Sequence, residues 1–125
     1  MKRSVFRSRI FVAVVIACLG LAAKGTADDA PPIPKEVGII NGDQLKKMLD
    51  GKEKFLLVDS RIASEYKDGH IPKAISVVDK EMETQKGKFP ADKSFPIVFY
   101  YNGYPKCPRS LNGAKTAMGW GYKNL

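Results

Sequence analysis

Pro96-Ile97-Val98-Phe99-Tyr100-Tyr101-Asn102-Gly103-Tyr104-Pro105-Lys106-Cys107-Pro108-Arg109-Ser110-Leu111-Asn112-Gly113-Ala114-Lys115-Thr116-Ala117-Met118 reads as a strand, a loop and a helix in succession. Ile97 to Tyr101 is a short apolar run of β type. Asn-Gly and two prolines then make a turn-rich loop, and a helical pattern begins near Arg109. A loop feeding a helix N-terminus faces unpaired backbone N–H groups and the positive end of the helix dipole. Cys107 lies in that loop between Lys106 and Arg109, and Pro108 suits a first helical turn. Cations and a helix N-terminus favour the thiolate, which makes Cys107 a candidate nucleophile. A free cysteine is equally often a small, inert residue under a loop, and spacing alone leaves both readings open.

Working outward, the rest of the chain alternates strands and helices. Val37 to Ile40 is a brief β-type run. Asn41-Gly42-Asp43 offers cap residues for a helix over Gln44 to Leu49, with Leu45, Met48 and Leu49 on one face. Lys54 to Asp59 is a continuous apolar run, the pattern of a strand buried on both faces of a parallel sheet. A short helix over Ile62 to Asp68, a strand over Ala74 to Val78 and a helical turn over Asp79 to Gln85 follow. Gly87 to Ser94 reads as a polar loop, Ile97 to Tyr101 as the central strand and Arg109 to Gly119 as the last helix. The last helix turns Leu111, Ala114, Ala117 and Met118 to the sheet. This order predicts an α/β domain with a mostly parallel central sheet flanked by helices.

The formal charge of +8 over 125 residues is concentrated at one end. Five of the 21 Lys and Arg lie in residues 1–27 with no acid, so residues 28–125 hold 16 bases against 13 acids, a net +3. The lysines form no basic run, and no nucleic-acid motif is present, so nucleic acid is not an expected partner. Lys2 to Arg9 is a positive segment and Ile10 to Ala23 an apolar one, too short to span a bilayer comfortably. Gly25-Thr26-Ala27 offers the small residues of a signal-peptidase site. The expected organisation is a signal peptide over 1–27, a Pro-rich linker over 28–35 and one domain over 36–125. Export, to a bacterial periplasm, follows. Val15-Ile16-Ala17-Cys18 loosely fits a lipobox, so the alternative is a lipoprotein anchored through Cys18, the one route to a membrane. Cleavage before Asp28 leaves Cys107 as the single cysteine, so no internal disulfide forms. One His and one Cys make no metal-ligand set.

Leu57-Val58-Asp59-Ser60-Arg61, then Glu65-Tyr66 and Gly69-His70-Ile71-Pro72-Lys73-Ala74, resemble the rhodanese-like domain family. The family pattern is an apolar strand ending Asp-x-Arg, then Glu-Tyr, then Gly-His-Ile-Pro-Gly-Ala; Lys73 stands where the second glycine would be. Pro96 to Tyr100, Arg109-Ser110 and Gly121-Tyr122-Lys123-Asn124 extend the likeness over residues 36–125. Asp59, Arg61, Glu65 and His70 read as structural: an Arg61–Glu65 ion pair is expected at the strand exit, and His70 is expected to hydrogen-bond backbone.

The resemblance implies sulfur transfer. A loop cysteine takes sulfane sulfur from a donor such as thiosulfate and holds it as a persulfide, with no cofactor. Asn102, Gly103, Tyr104, Lys106, Arg109 and Ser110 would form the anion loop around it. The usual nucleophile position falls at Tyr104 counted back from Arg109, and at Tyr101 counted forward from the strand. Cys107 matches only the second cysteine of a longer-loop variant, so it is a candidate displaced from the usual position. The alternative is a non-catalytic binding module that captures a protein partner at the loop. The family pattern also continues past Gly-Tyr-x-Asn with a further strand and helix, so those two elements are expected to be missing.

Overall fold

The computed structural model describes residues 32–102 and 108–125. The segment 1–31, with the signal-peptide, Cys18 and most of the linker expectations, lies outside the described residues. So do Gly103, Tyr104, Lys106 and Cys107.

Helix α1, Gly42–Asp50, opens with a capping box. Asn41 Oδ1 accepts from Gln44 N at 2.9 Å, and Asn41 N donates to Gln44 Oε1 at 2.8 Å. Such a cap stabilises a helix by about 1 kcal/mol relative to alanine. Strand β1, Leu56–Asp59, follows, then helix α2, Ala63–Asp68, and the two-residue strand β2, Ile75–Ser76. Two 3-10 turns, Asp79–Glu81 and Lys86–Lys88, lead to strand β3, Ile97–Tyr100, and helix α3, Arg109–Gly119.

Among the described residues the three strands form one parallel sheet in the order β2-β1-β3. The central strand is therefore β1, not β3 as the sequence suggested. The continuous apolar run is the better guide, because only a strand with neighbours on both sides and layers on both faces is buried all round. Val37 to Ile40 is not a strand; Ile39 and Ile40 are exposed. That segment's Gly38 N donates to Leu125 O at 2.8 Å, while Ile97 N donates to Asn124 O at 3.0 Å, so the residues after α3 run beside β3.

The alternation of side chains along β1 and β3 divides the core. Val58 and Ile97 face Val77, Met82, Phe89, Ala117 and Tyr122, with Phe99 and Trp120 packed against them. Leu57 faces Leu45 and Ala74 on the opposite side, with Leu49, Phe55, Val98 and Tyr100 around them. Phe89, expected in a polar loop, is buried and packs edge-on to Trp120 at 5.3 Å between centroids. One aromatic side chain in a polar stretch gives no periodic signal, so only the packing reveals it.

Helix α3 lies close on the sheet because Gly113 lacks a side chain. A β-carbon there would come 2.8 Å from Phe99 Cδ1, closer than packed carbons approach. The helix ends in a Schellman motif: Gly121 has φ +95°, its N–H donates to Met118 O, and Tyr122 N donates to Ala117 O. This turn buries the Tyr122 ring, whose hydroxyl donates to Pro90 O.

Candidate functional site

The carboxyl ends of parallel strands are where α/β folds place ligands. Here Asp59, Ser60 and Arg61 leave β1, Tyr100, Tyr101 and Asn102 leave β3, and α3 begins at Arg109. The Asp59 carboxylate is wholly buried and organises this end. Arg61 donates to it from its backbone N at 2.9 Å, from Nε at 3.0 Å and from Nη2 at 2.7 Å. Tyr100 Oη donates to it at 2.6 Å. Arg61 Nη2 also donates to Gly69 O at 2.7 Å, and Tyr100 Oη accepts from Ile71 N at 3.2 Å. One carboxylate thus ties both strand exits to the loop after α2.

Burial works to raise the Asp59 pKa, but the Arg61 and Tyr100 hydrogen bonds and the Arg61 charge outweigh it and hold the carboxyl below its ordinary value. Burial, with the neighbouring carboxylate, pushes the Tyr100 hydroxyl up. Hydrogen bonding to Asp59 raises Arg61 further still.

The expected Arg61–Glu65 pair is not made. The Arg61 backbone N–H already binds Asp59 Oδ1, and that short turn lays the guanidinium on a carboxylate that has no water to solvate it. Glu65 instead accepts from Asn102 Nδ2 at 3.2 Å and, at 3.4 Å, from Ile62 N at the start of α2. It therefore tethers the start of the loop after β3 to α2. His70 plays the backbone role expected of it: Nδ1 lies 2.8 Å from Tyr66 O, and the ring stacks on Tyr66 at 3.7 Å. A carbonyl only accepts, so Nδ1 is the protonated nitrogen.

Arg61, His70, Tyr101 and Asn102 line an open cleft of about 470 Å3 at this end of the sheet. Arg109 holds its guanidinium carbon 5.4 Å from the Tyr101 ring centroid, a cation–π contact, and Ser110 is half-buried in the first turn of α3. Asp59 and Arg61 are thus joined directly, Glu65 and Asn102 form a separate pair, His70 binds backbone at Tyr66, and Arg109 rests on Tyr101. Among the described residues no three His, Cys, Asp or Glu side chains gather in a way that could hold a metal ion. No described helix is long and apolar enough to cross a membrane.

The family model for the rhodanese-like domain matches residues 41–125. The chain belongs to the rhodanese-like domain family. A solved rhodanese-like domain, that of the Alr3790 protein from Anabaena sp., is similar at 25% identity and a TM-score of 0.46, over 70% of this chain and 80% of that one. No curated protein matches the chain.

Within this rhodanese-like domain, sequence reasoning missed Tyr100 and Ser60. Tyr100 lies 41 positions from the carboxylate it binds, and a tyrosine ending an apolar run reads simply as packing. Ser60 Oγ is buried with no hydrogen-bond partner among the described residues, under α3 close to Gly113. Its place between Asp59 and Arg61 gave no sign of that.

Proposed function

We propose that this rhodanese-like domain carries sulfane sulfur as a persulfide on Cys107, loaded from a small donor such as thiosulfate. The observation that carries the proposal is the start of α3. Cys107 directly precedes Pro108, the residue before an 11-residue helix that begins at Arg109. The free N–H groups and positive dipole end of such a helix favour thiolate and persulfide alike. In the loading step the Cys107 thiolate attacks the outer sulfur of thiosulfate. A sulfur–sulfur bond forms to Cys107, the one in thiosulfate breaks, and sulfite leaves with its electron pair. The persulfide anion then yields its outer sulfur to a nucleophile such as cyanide, which restores the thiolate and releases thiocyanate. Neither step needs a cofactor. The basic and apolar segment at 1–27 supports placing this chemistry outside the cytoplasm, in a bacterial periplasm, or at a membrane if Cys18 is lipidated.

Intact mass spectrometry before and after thiosulfate treatment tests the reading, with Cys107→Ser as control. The expected result is a gain of one sulfur atom that cyanide removes and the variant lacks. No gain in a folded sample overturns it. One observation favours a second reading, a non-catalytic binding module: Tyr101, which cannot form a persulfide, holds the exit of β3 with Arg109 over its ring. That module would take up no sulfur and would capture a protein partner through the loop from Asn102 to Ser110.

A further inference from the structure

At the amino ends of the strands lies a second depression. Phe55 immediately precedes β1, Lys73 stands two residues before β2, and Phe95 two before β3. With Met48 and Leu49 from the end of α1 they line a groove of about 320 Å3, rimmed also by Glu53 and Lys54. That volume lies within the range of small-molecule sites. Its floor is apolar: Met48, Leu49, Phe55 and Phe95 are each only half-buried. Its rim is net positive, with two lysines against one glutamate. Both lysines are exposed, and among the described residues neither has an ion pair or a side-chain hydrogen bond.

Lys73 carries a second signal. Ala74 N donates to Ile71 O at 3.1 Å, closing a turn with Pro72 second and Lys73 third. Lys73 has φ +70°, the left-handed region that a side chain disfavours and that glycine serves at this place in a turn. The family pattern has glycine here. The chain thus holds a non-glycine residue in the left-handed region where Lys73 lines the groove, and an outlier of this kind is grounds for a functional hypothesis.

We propose that this groove binds a small amphipathic carboxylate, its apolar tail on Met48, Leu49, Phe55 and Phe95 and its anionic head at Lys54 and Lys73. The site does not depend on sulfur chemistry at Cys107. Titration of the full chain with decanoate, followed by amide NMR shifts, tests it with decanol as the uncharged comparison. Saturable decanoate binding is expected, with shifts centred on Phe55 and Phe95. Affinity should be about tenfold weaker in Lys73→Gly, in Lys54→Gln and for decanol, since each removes a charge-assisted contact. Lys73→Gly should also melt higher than the parent, because it relieves the turn, so its weaker binding cannot be laid to poor folding. Absence of saturable binding, equal affinity in the variants, equal affinity for decanol, or shifts centred on Tyr101 and Asn102 would each overturn the assignment.

Discussion

On one face of the sheet α3 presses so close that Gly113 has no room for a β-carbon, and the layer beneath is apolar and aromatic, from Val58 and Ile97 to Phe89 and Tyr122. On the other face the apolar cluster is smaller, Leu45, Leu57 and Ala74. There a buried carboxylate knot stands at the carboxyl ends of the strands and an open groove at their amino ends. The first face is limited by volume and should be indifferent to pH. The second is limited by charge and should not be. Both candidate sites reach onto the second face, where polar groups and unfilled space remain.

Breaking the knot should have the largest effect. Arg61→Ala leaves the wholly buried Asp59 without its cation, and loss of one partner of such a pair costs about 3 kcal/mol or more. Chemical denaturation should show it, together with a changed acid limb. Because the folded Asp59 pKa is depressed, its contribution is present at neutral pH and is lost as pH falls through that depressed value. Without Arg61, burial is less opposed and the folded pKa rises toward or above the unfolded value, so this carboxylate's acid-dependent loss should shrink or change sign. A variant with the parent's acid limb would sink the claim that charge governs this face.

The opposite face should answer to size alone. Gly113→Val must displace Phe99 or lift α3, and overpacking of this kind costs about 2 kcal/mol. Its cost should be the same at mild acid and neutral pH, unlike that of Arg61→Ala. A Gly113→Val protein as stable as the parent would mean that the helix can move away from the sheet freely.

Tyr100→Phe sharpens the comparison with a smaller change. It keeps the ring and removes one of the donors to Asp59, for a loss of about 1–2 kcal/mol at neutral pH. The Tyr100 pKa is raised in the folded state, so the parent should lose stability as pH climbs through that raised value. The phenylalanine variant should lack this alkaline limb. If both proteins fall together in base, Tyr100 does not govern that limb.

Much of this was legible before any coordinates. The alternation of runs fixed an α/β domain, the apolar run at Lys54 to Asp59 marked a buried strand, and the pattern from Leu57 to Ala74 pointed to the family. Helix α3 appears with the expected bounds, because Pro108 and Gly119 to Gly121 punctuate it locally. These features are written in short-range chemistry: period, cap and turn residues, and a chain shows them without folding. What the sequence could not decide was partner choice. Arg61 has carboxylates two and four residues away, and only the burial of Asp59 settles which one it binds. Tyr100 meets Asp59, and Gly113 meets Phe99, because neighbouring strands and a helix bring distant residues into contact. Lys73 reads in the sequence only as a lysine in place of a glycine; the turn from Ile71 to Ala74 is what sets its φ. Local physics chose the elements; burial and close approach, which exist only once the layers are assembled, chose which groups they bring together.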